Sequence, residues 1–118
     1  MAKPNLESTN LLDLIPVRRV DWKKNGDGTA FLQYPKFSNR ILTAVLIKAG
    51  INPRARLHLD KIGSYVWEMC DGNRRVLDIA ESMRTEFGSR IEPVYERLGA
   101  FVKLLTHHRC ITYKGIVL

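Results

Sequence analysis

The apolar residues of this chain change their period at Asp60, and no other feature constrains the fold as strongly. Downstream of it lie three stripes at helical spacing. They are Ile62, Tyr65, Val66 and Met69; then Val76, Ile79, Ala80, Met83 and Phe87; then Val94, Tyr95, Leu98, Phe101, Val102 and Leu105. Each carries its own punctuation. Asp60 is a good N-cap, Gly72 and Gly88 stand where a left-handed residue closes the first two helices, and Pro93 suits the first position of the third.

Upstream, the period is two. Val17 to Trp22 reads as an imperfect strand and Thr29 to Tyr34 as a second, joined by Lys24-Asn25-Gly26-Asp27-Gly28. Asn and Gly tolerate the positive φ of a tight hairpin, so these two runs are expected to pair. Arg54 to Leu59 alternates again, with Arg56 and His58 on one face and Leu57 and Leu59 on the other. Between them, Ile41, Leu42, Val45 and Leu46 fall at helical spacing behind a Ser38 cap and before Gly50. A short helix over 37–49 is expected, although the near-continuous run Ile41–Ile47 leaves a strand open. Residues 1–16 read as a weakly ordered arm, with one turn at Leu11–Leu14 capped by Thr9-Asn10. Residues 111–118 read as a short strand or an irregular tail. The layout is an α+β domain: a small three-stranded antiparallel sheet followed by a three-helix, winged-helix-like bundle.

A chain of 118 residues, 45% of them hydrophobic, holds one domain with a real core. It has no apolar run long enough to span a bilayer, and its start lacks the apolar stretch of a secretory signal, so the expectation is a cytoplasmic protein. Cys70 and Cys110 are expected to be free thiols, Cys70 as a small core hydrophobe on an apolar helical face.

The net charge is +7, and it is unevenly spread. Residues 1–60 hold ten Lys/Arg and five Asp/Glu; residues 61–118 hold nine and seven. Lys36, Arg40, Lys48, Arg54 and Arg56 follow one another with no acid between them. Such a surface suits an acidic peptide, a phosphate backbone or an anionic membrane, or it is simply a solvated face. For the apolar side of 37–49, packing on the domain's own core is the plainer expectation, and membrane or partner docking the alternative.

Catalytic grammar is missing. Gly26-Asp27-Gly28 has no following Lys-Ser/Thr, no nucleophile elbow occurs, and Glu92 and Glu96 look like a solvated helix face. His107-His108-Arg109-Cys110 is the one cluster of metal-ligand types. Adjacent histidines diverge on a helix and no second ligand pair accompanies them, so it reads as a polar helix end. The expectation is a binding protein with no cofactor and no metal. Arg97 and Lys103 on the last helix are offset by Glu92 and Glu96, which argues against a groove-reading nucleic-acid helix.

The segment from Leu59 to Phe87 resembles the PqqD family. The matching positions are Leu59, Gly63, Val66, Trp67, Glu68, Asp71, Gly72, Val76, Ile79 and Ala80: a strand-ending Leu, a Trp-Glu-x-x-Asp-Gly helix end and a Val-x-x-Ile-Ala helix. The resemblance covers about residues 16–110 and is tightest over 55–106. It implies a PqqD-like domain at 17–110, with an insertion at 36–53. Many members carry a capping Thr where this chain has Arg75, and the insertion lengthens the family's compact layout.

The resemblance also implies a function. PqqD is similar to the recognition elements of peptide-modifying systems, which hold a precursor's leader peptide for a partner enzyme, often a radical SAM protein. In that family the leader adds a strand to the edge of the third strand, beside the last helix. Carried onto this chain, the implied peptide-binding positions are Arg54, Arg56, Leu57, His58 and Leu59 on the strand, with Arg97, Phe101 and Leu104 on the helix. For Phe101, plain core packing is the competing expectation. Arg54, Arg56 and Arg97 would suit an acidic leader.

Overall fold

The computed structural model describes residues 10–35 and 39–115. Among them, Asn10 caps a single 3₁₀ turn, Leu11–Asp13, through its side-chain oxygen. Then follow β1 (Pro16–Arg18), β2 (Asp21–Lys24), β3 (Ala30–Pro35), α1 (Arg40–Lys48) and β4 (Arg54–Leu59). After Asp60 come α2 (Lys61–Met69), α3 (Val76–Phe87), α4 (Val94–His107) and β5 (Ile111–Tyr113). The class is α+β, with four helices and two small antiparallel sheets among the described residues.

The sheets depart from the expected single three-stranded one. β2, β3 and β4 form an antiparallel sheet in that order, while β1 pairs with β5 in a second. The run Val17–Trp22 is therefore not one strand. It breaks at Arg19-Val20, because Val17 pairs with Thr112 whereas Trp22 pairs with Leu32. Of the two readings left open for the C-terminus, Ile111–Tyr113 takes the strand. The hairpin turn forms as its residues dictate: Asn25 N–H donates to the Thr29 carbonyl, and the Asp27 carboxylate accepts from the Thr29 amide and hydroxyl.

From Asn10 onward, the segment expected as a weakly ordered arm is packed. Leu14 is buried, and Leu11 and Leu12 lie against the core. The Leu14 carbonyl accepts from Val76 N–H at 2.8 Å, the first amide of α3. This answers the weak cap at Arg75. Its side chain cannot accept a bond, but Asp78 takes the Arg75 amide at 2.9 Å and a chain neighbour from far upstream satisfies Val76. Pro93 stands one residue outside α4, as its N-cap, and not at the first helical position.

The core is centred on Trp67, Leu32, Ile79, Met83, Leu98 and Leu105, all essentially inaccessible. Trp22 meets Trp67 edge-on, with ring centroids 6.3 Å apart. Cys70 and Cys110 are buried free thiols; burial pushes Cys70 up to about 12 and Cys110 up to about 11, so both stay protonated.

The stretch between β3 and β4 is a helix from Arg40, capped by Asn39, whose side chain accepts from Ile41 and Leu42. The expected Ser38 cap lies outside the described residues, as does Phe37. The helix ends at Gly50, whose φ of 76° suits the left-handed turn. The expectation that its apolar side packs on the domain's own core is overturned. α1 has no buried residue, and Ile41 and Val45 are 78% and 56% exposed. No helix of the described residues is long and apolar enough to cross a membrane.

Candidate functional site

β4 is an edge strand. Its one neighbour is β3, from the Ala30–Leu59 pair to the Pro35–Arg54 pair. On its other side no strand lies among the described residues, and a groove opens between this edge and α4. Asp60 ends the strand and caps α2, accepting from Gly63 N–H at 2.7 Å. A Cβ on Gly63 would lie 3.2 Å from that carboxylate, so glycine leaves room for the capping bond, and the Phe101 ring packs directly beside it, 3.5 Å from that Cβ position. On α4, Arg97, Phe101 and Leu104 recur at helical spacing along the opposite wall.

The cavity has a volume of about 350 Å³. Of the eight positions expected at a peptide site, it brings together six: Leu57, His58, Leu59, Arg97, Phe101 and Leu104. Arg54 and Arg56 are not in its lining. Arg54 forms an ion pair with Asp21 at 3.1 Å across the sheet, and Arg56 lies over the Phe31 ring, 5.1 Å from its centroid. Phe101 is half-buried, so it serves both the core and the groove, whereas Leu104 is 41% exposed. Arg97 donates to the Arg90 carbonyl at 3.0 Å and so lies along the wall.

Sequence reasoning missed the floor of this groove, which is built by Ile62, Val66, Met83, Ile91 and Leu98. All but Ile91 belong to helical stripes, and a stripe does not say which of its members face a cavity. The resulting surface is mainly aliphatic, with Arg97 as its basic group and Asp60 engaged in its capping bond; His58 borders it, but its ring packs on Phe31 on the outer face of the sheet, centroids 5.8 Å apart. It can take apolar side chains, and an extended backbone can lie against the unpaired edge of β4. Nothing in the groove resembles a nucleophile–base pair. Among the described residues no cluster of His, Cys, Asp and Glu could hold a metal ion. His107 and His108 pack edge-on to each other, and His108 lies 5.0 Å from the Tyr34 ring.

These features define a small α+β domain whose concave surface is a strand edge facing a helix. Residues 51–111 match the family described as Coenzyme PQQ synthesis protein D (PqqD), and the chain belongs to that family. No curated protein and no solved structure matches the chain. The matched span starts at Ile51, so β1, β2, β3 and α1 all precede it.

The family motif has a physical reading in this fold. Val66, Trp67, Val76, Ile79 and Ala80 are core. Glu68 pairs with Lys24 at 2.7 Å, tying α2 to the hairpin. Asp71 accepts from Asn73 N–H and from the Arg74 guanidinium, shaping the turn between α2 and α3. Gly72, with φ of 82°, donates to the Pro16 carbonyl at 3.0 Å, and a Cβ there would stand 3.3 Å from a Val17 methyl carbon. Arg18 completes the joint at the end of α2 by donating to the Trp67 and Glu68 carbonyls at 3.1 and 2.6 Å, the former also accepting from Cys70 N–H. Apart from Leu59 and Val66, which also line the groove, and Gly63, which shapes it, the motif builds the fold.

Proposed function

We propose that this protein is a non-catalytic peptide-binding module that holds the leader peptide of a precursor and presents it to a peptide-modifying enzyme. Its family, whose description names coenzyme PQQ synthesis, supports a place in the biosynthesis of a modified peptide or a quinone cofactor. The enzyme partner would be of the radical SAM kind, and the setting the cytoplasm. The observation that carries the reading is the juxtaposition of an unpaired strand edge, Arg54–Leu59, with an apolar groove walled by α4.

Binding would proceed by strand addition. The leader's backbone would continue the β2-β3-β4 sheet, each hydrogen bond contributing about 0.5–1.5 kcal/mol, and alternate side chains would enter the groove. With Arg54 and Arg56 occupied on the outer face of the sheet, Arg97 is the cation placed to meet an acidic leader residue.

The test is an amide-resolved NMR titration with the leader of a precursor peptide encoded beside the gene. Shifts are expected at Arg54–Leu59 and on the Arg97–Leu104 side of α4. Leu104→Asp, at an exposed position that the fold does not need, is expected to weaken binding at least about tenfold, since it removes a leucine's worth of apolar contact. Shifts confined to other surfaces, or an affinity indifferent to Leu104→Asp, would remove the proposal.

A further inference from the structure

α1 turns one side to the body and leaves the other bare. Arg40, Thr43, Ala44 and Ile47 face Arg19, Pro35 and Arg109 across a cleft of about 580 Å³. On the opposite side of the helix Ile41, Leu42 and Val45 stand exposed, with no element of the described residues covering them.

The helix is fastened at one end of the candidate peptide site. It follows Pro35 and precedes Arg54, which are the last pair of the β3–β4 ladder. Ile51 N–H donates to the Leu46 carbonyl at 2.8 Å, and Arg54 N–H donates to the Asn52 side chain at 2.9 Å, so the link from α1 into β4 is bonded at both ends. Ile51 is itself exposed and extends the bare aliphatic surface toward the strand. The groove's apolar lining lies further along β4, around Leu57, Leu59 and Phe101.

A leader that continues the antiparallel β2-β3-β4 sheet runs against β4, the pairing that is also the more stable per residue. Its N-terminal part then lies by Leu59 and its C-terminal part leaves by Arg54. The residues to be modified follow the leader in sequence, so they emerge beside α1, and the enzyme that receives them has to sit there. The charge of this end agrees. No acidic residue occurs between Asp27 and Asp60, and neither Arg40 nor Lys48 forms an ion pair among the described residues. An aliphatic surface with a cationic border is matched by an apolar patch bordered by carboxylates. A second copy of the chain would bring the same cations to the contact. A bilayer is matched poorly, because α1 turns Arg40 toward the body and not toward the headgroups. We propose that the exposed Ile41, Leu42 and Val45 side of α1, continued by Ile51, docks the peptide-modifying enzyme through an apolar, acid-bordered patch and so holds it where the peptide leaves β4. The inference rests on strand addition at β4.

The probes are the leader peptide and the modifying enzyme encoded beside the gene, each titrated against the full chain. Val45→Asp is expected to leave leader affinity unchanged and to weaken enzyme binding at least about tenfold, since it would bury a carboxylate in an apolar contact; Ile41→Ser should weaken enzyme binding about threefold. Both side chains are exposed, and unchanged leader affinity reports that the fold is intact. Leu104→Asp should do the reverse, weakening the leader while the peptide-free domain still binds the enzyme. A nitroxide at the leader's C-terminus should broaden the amides of Ile51, Asn52 and Arg54, and one at its N-terminus those of Lys61 and Gly63. If the leader binds but the enzyme does not, or binds indifferently to both α1 variants, or if the broadening is reversed, the docking proposal falls and the peptide reading stands. If no leader binds, both fall. A dimer, or sedimentation with phosphatidylglycerol vesicles, that Val45→Asp abolishes while enzyme affinity is unchanged would assign α1 to a second copy or to a bilayer and overturn the proposal.

Discussion

Leu14→Ala tests whether the segment ahead of the hairpin belongs to the folding unit. Leu14 is 4% exposed and joins the same cluster as Trp67 and Ile79, while its carbonyl receives the first amide of α3. Truncating a buried leucine to alanine destabilises by about 2–5 kcal/mol. Leu14 comes from a short segment at the margin of the core, where neighbours can relax inward, which places the expected loss near the lower end, about 2.5 kcal/mol. The carbonyl survives in the alanine variant, so the bond to Val76 should persist. Deleting residues 1–15 removes both the side chain and the cap and should lose roughly 1 kcal/mol more. For a domain of this size a loss of 2.5 kcal/mol lowers Tm by on the order of 10 °C. Urea unfolding reads the free energy and a thermal melt the Tm, both by tryptophan fluorescence, since Trp22 and Trp67 lie in or against this core. A change in Leu14→Ala below about 0.5 kcal/mol would refute the reasoning and return residues 10–16 to the status of a loose arm.

Two further outcomes follow from the same geometry. Gly72→Ala is expected to destabilise by about 1–2 kcal/mol, because an L-residue is strained at φ of 82° and its Cβ would press on Val17; an unchanged urea midpoint would contradict this. The Arg75 guanidinium and amide beside Asp78 hold its carboxyl below the usual carboxylate range. A depressed acid stabilises the fold above its unfolded value, near pH ~4, and that contribution fades as pH falls through the folded value. Wild type should therefore melt above Asp78→Asn at neutral pH, and the gap should close on acidification below about pH 4; a gap that widens on acidification would reverse the assignment.

How far the fold was legible depends on where its information lies. The boundaries of β4 and the N-cap of α2 follow from local signals, namely alternation from Arg54 to Leu59 and a capping Asp60. The three helices after it follow from apolar spacing, because burial of a single face imposes the 3.6-residue period whatever the partner. The break at Arg19-Val20 could not be read this way. It arises because β1 is claimed by β5, nearly a hundred residues downstream, while β2 is claimed by β3. The cap on Val76 is of the same kind, since its acceptor sits 62 positions away in sequence, at Leu14.

The candidate site divides along the same line. By itself the sequence determined the three C-terminal helices, the edge-strand segment Arg54–Leu59 and the residue types that would meet a peptide, because each depends on contacts within one or two turns of chain. It also determined the family, through a motif that proves to be largely core and turn. Alternation already set Arg56 apart from Leu57; only the tertiary structure decided that the leucine face meets Phe101 and Leu104 in a groove while Arg54 and Arg56 are engaged on the outer face of the sheet. Only it showed that α1 stands off the body with its apolar side exposed. The physical reason is that periodicity states which face of an element is apolar, whereas the neighbour that covers that face, or leaves it bare, is chosen by residues far away in the chain.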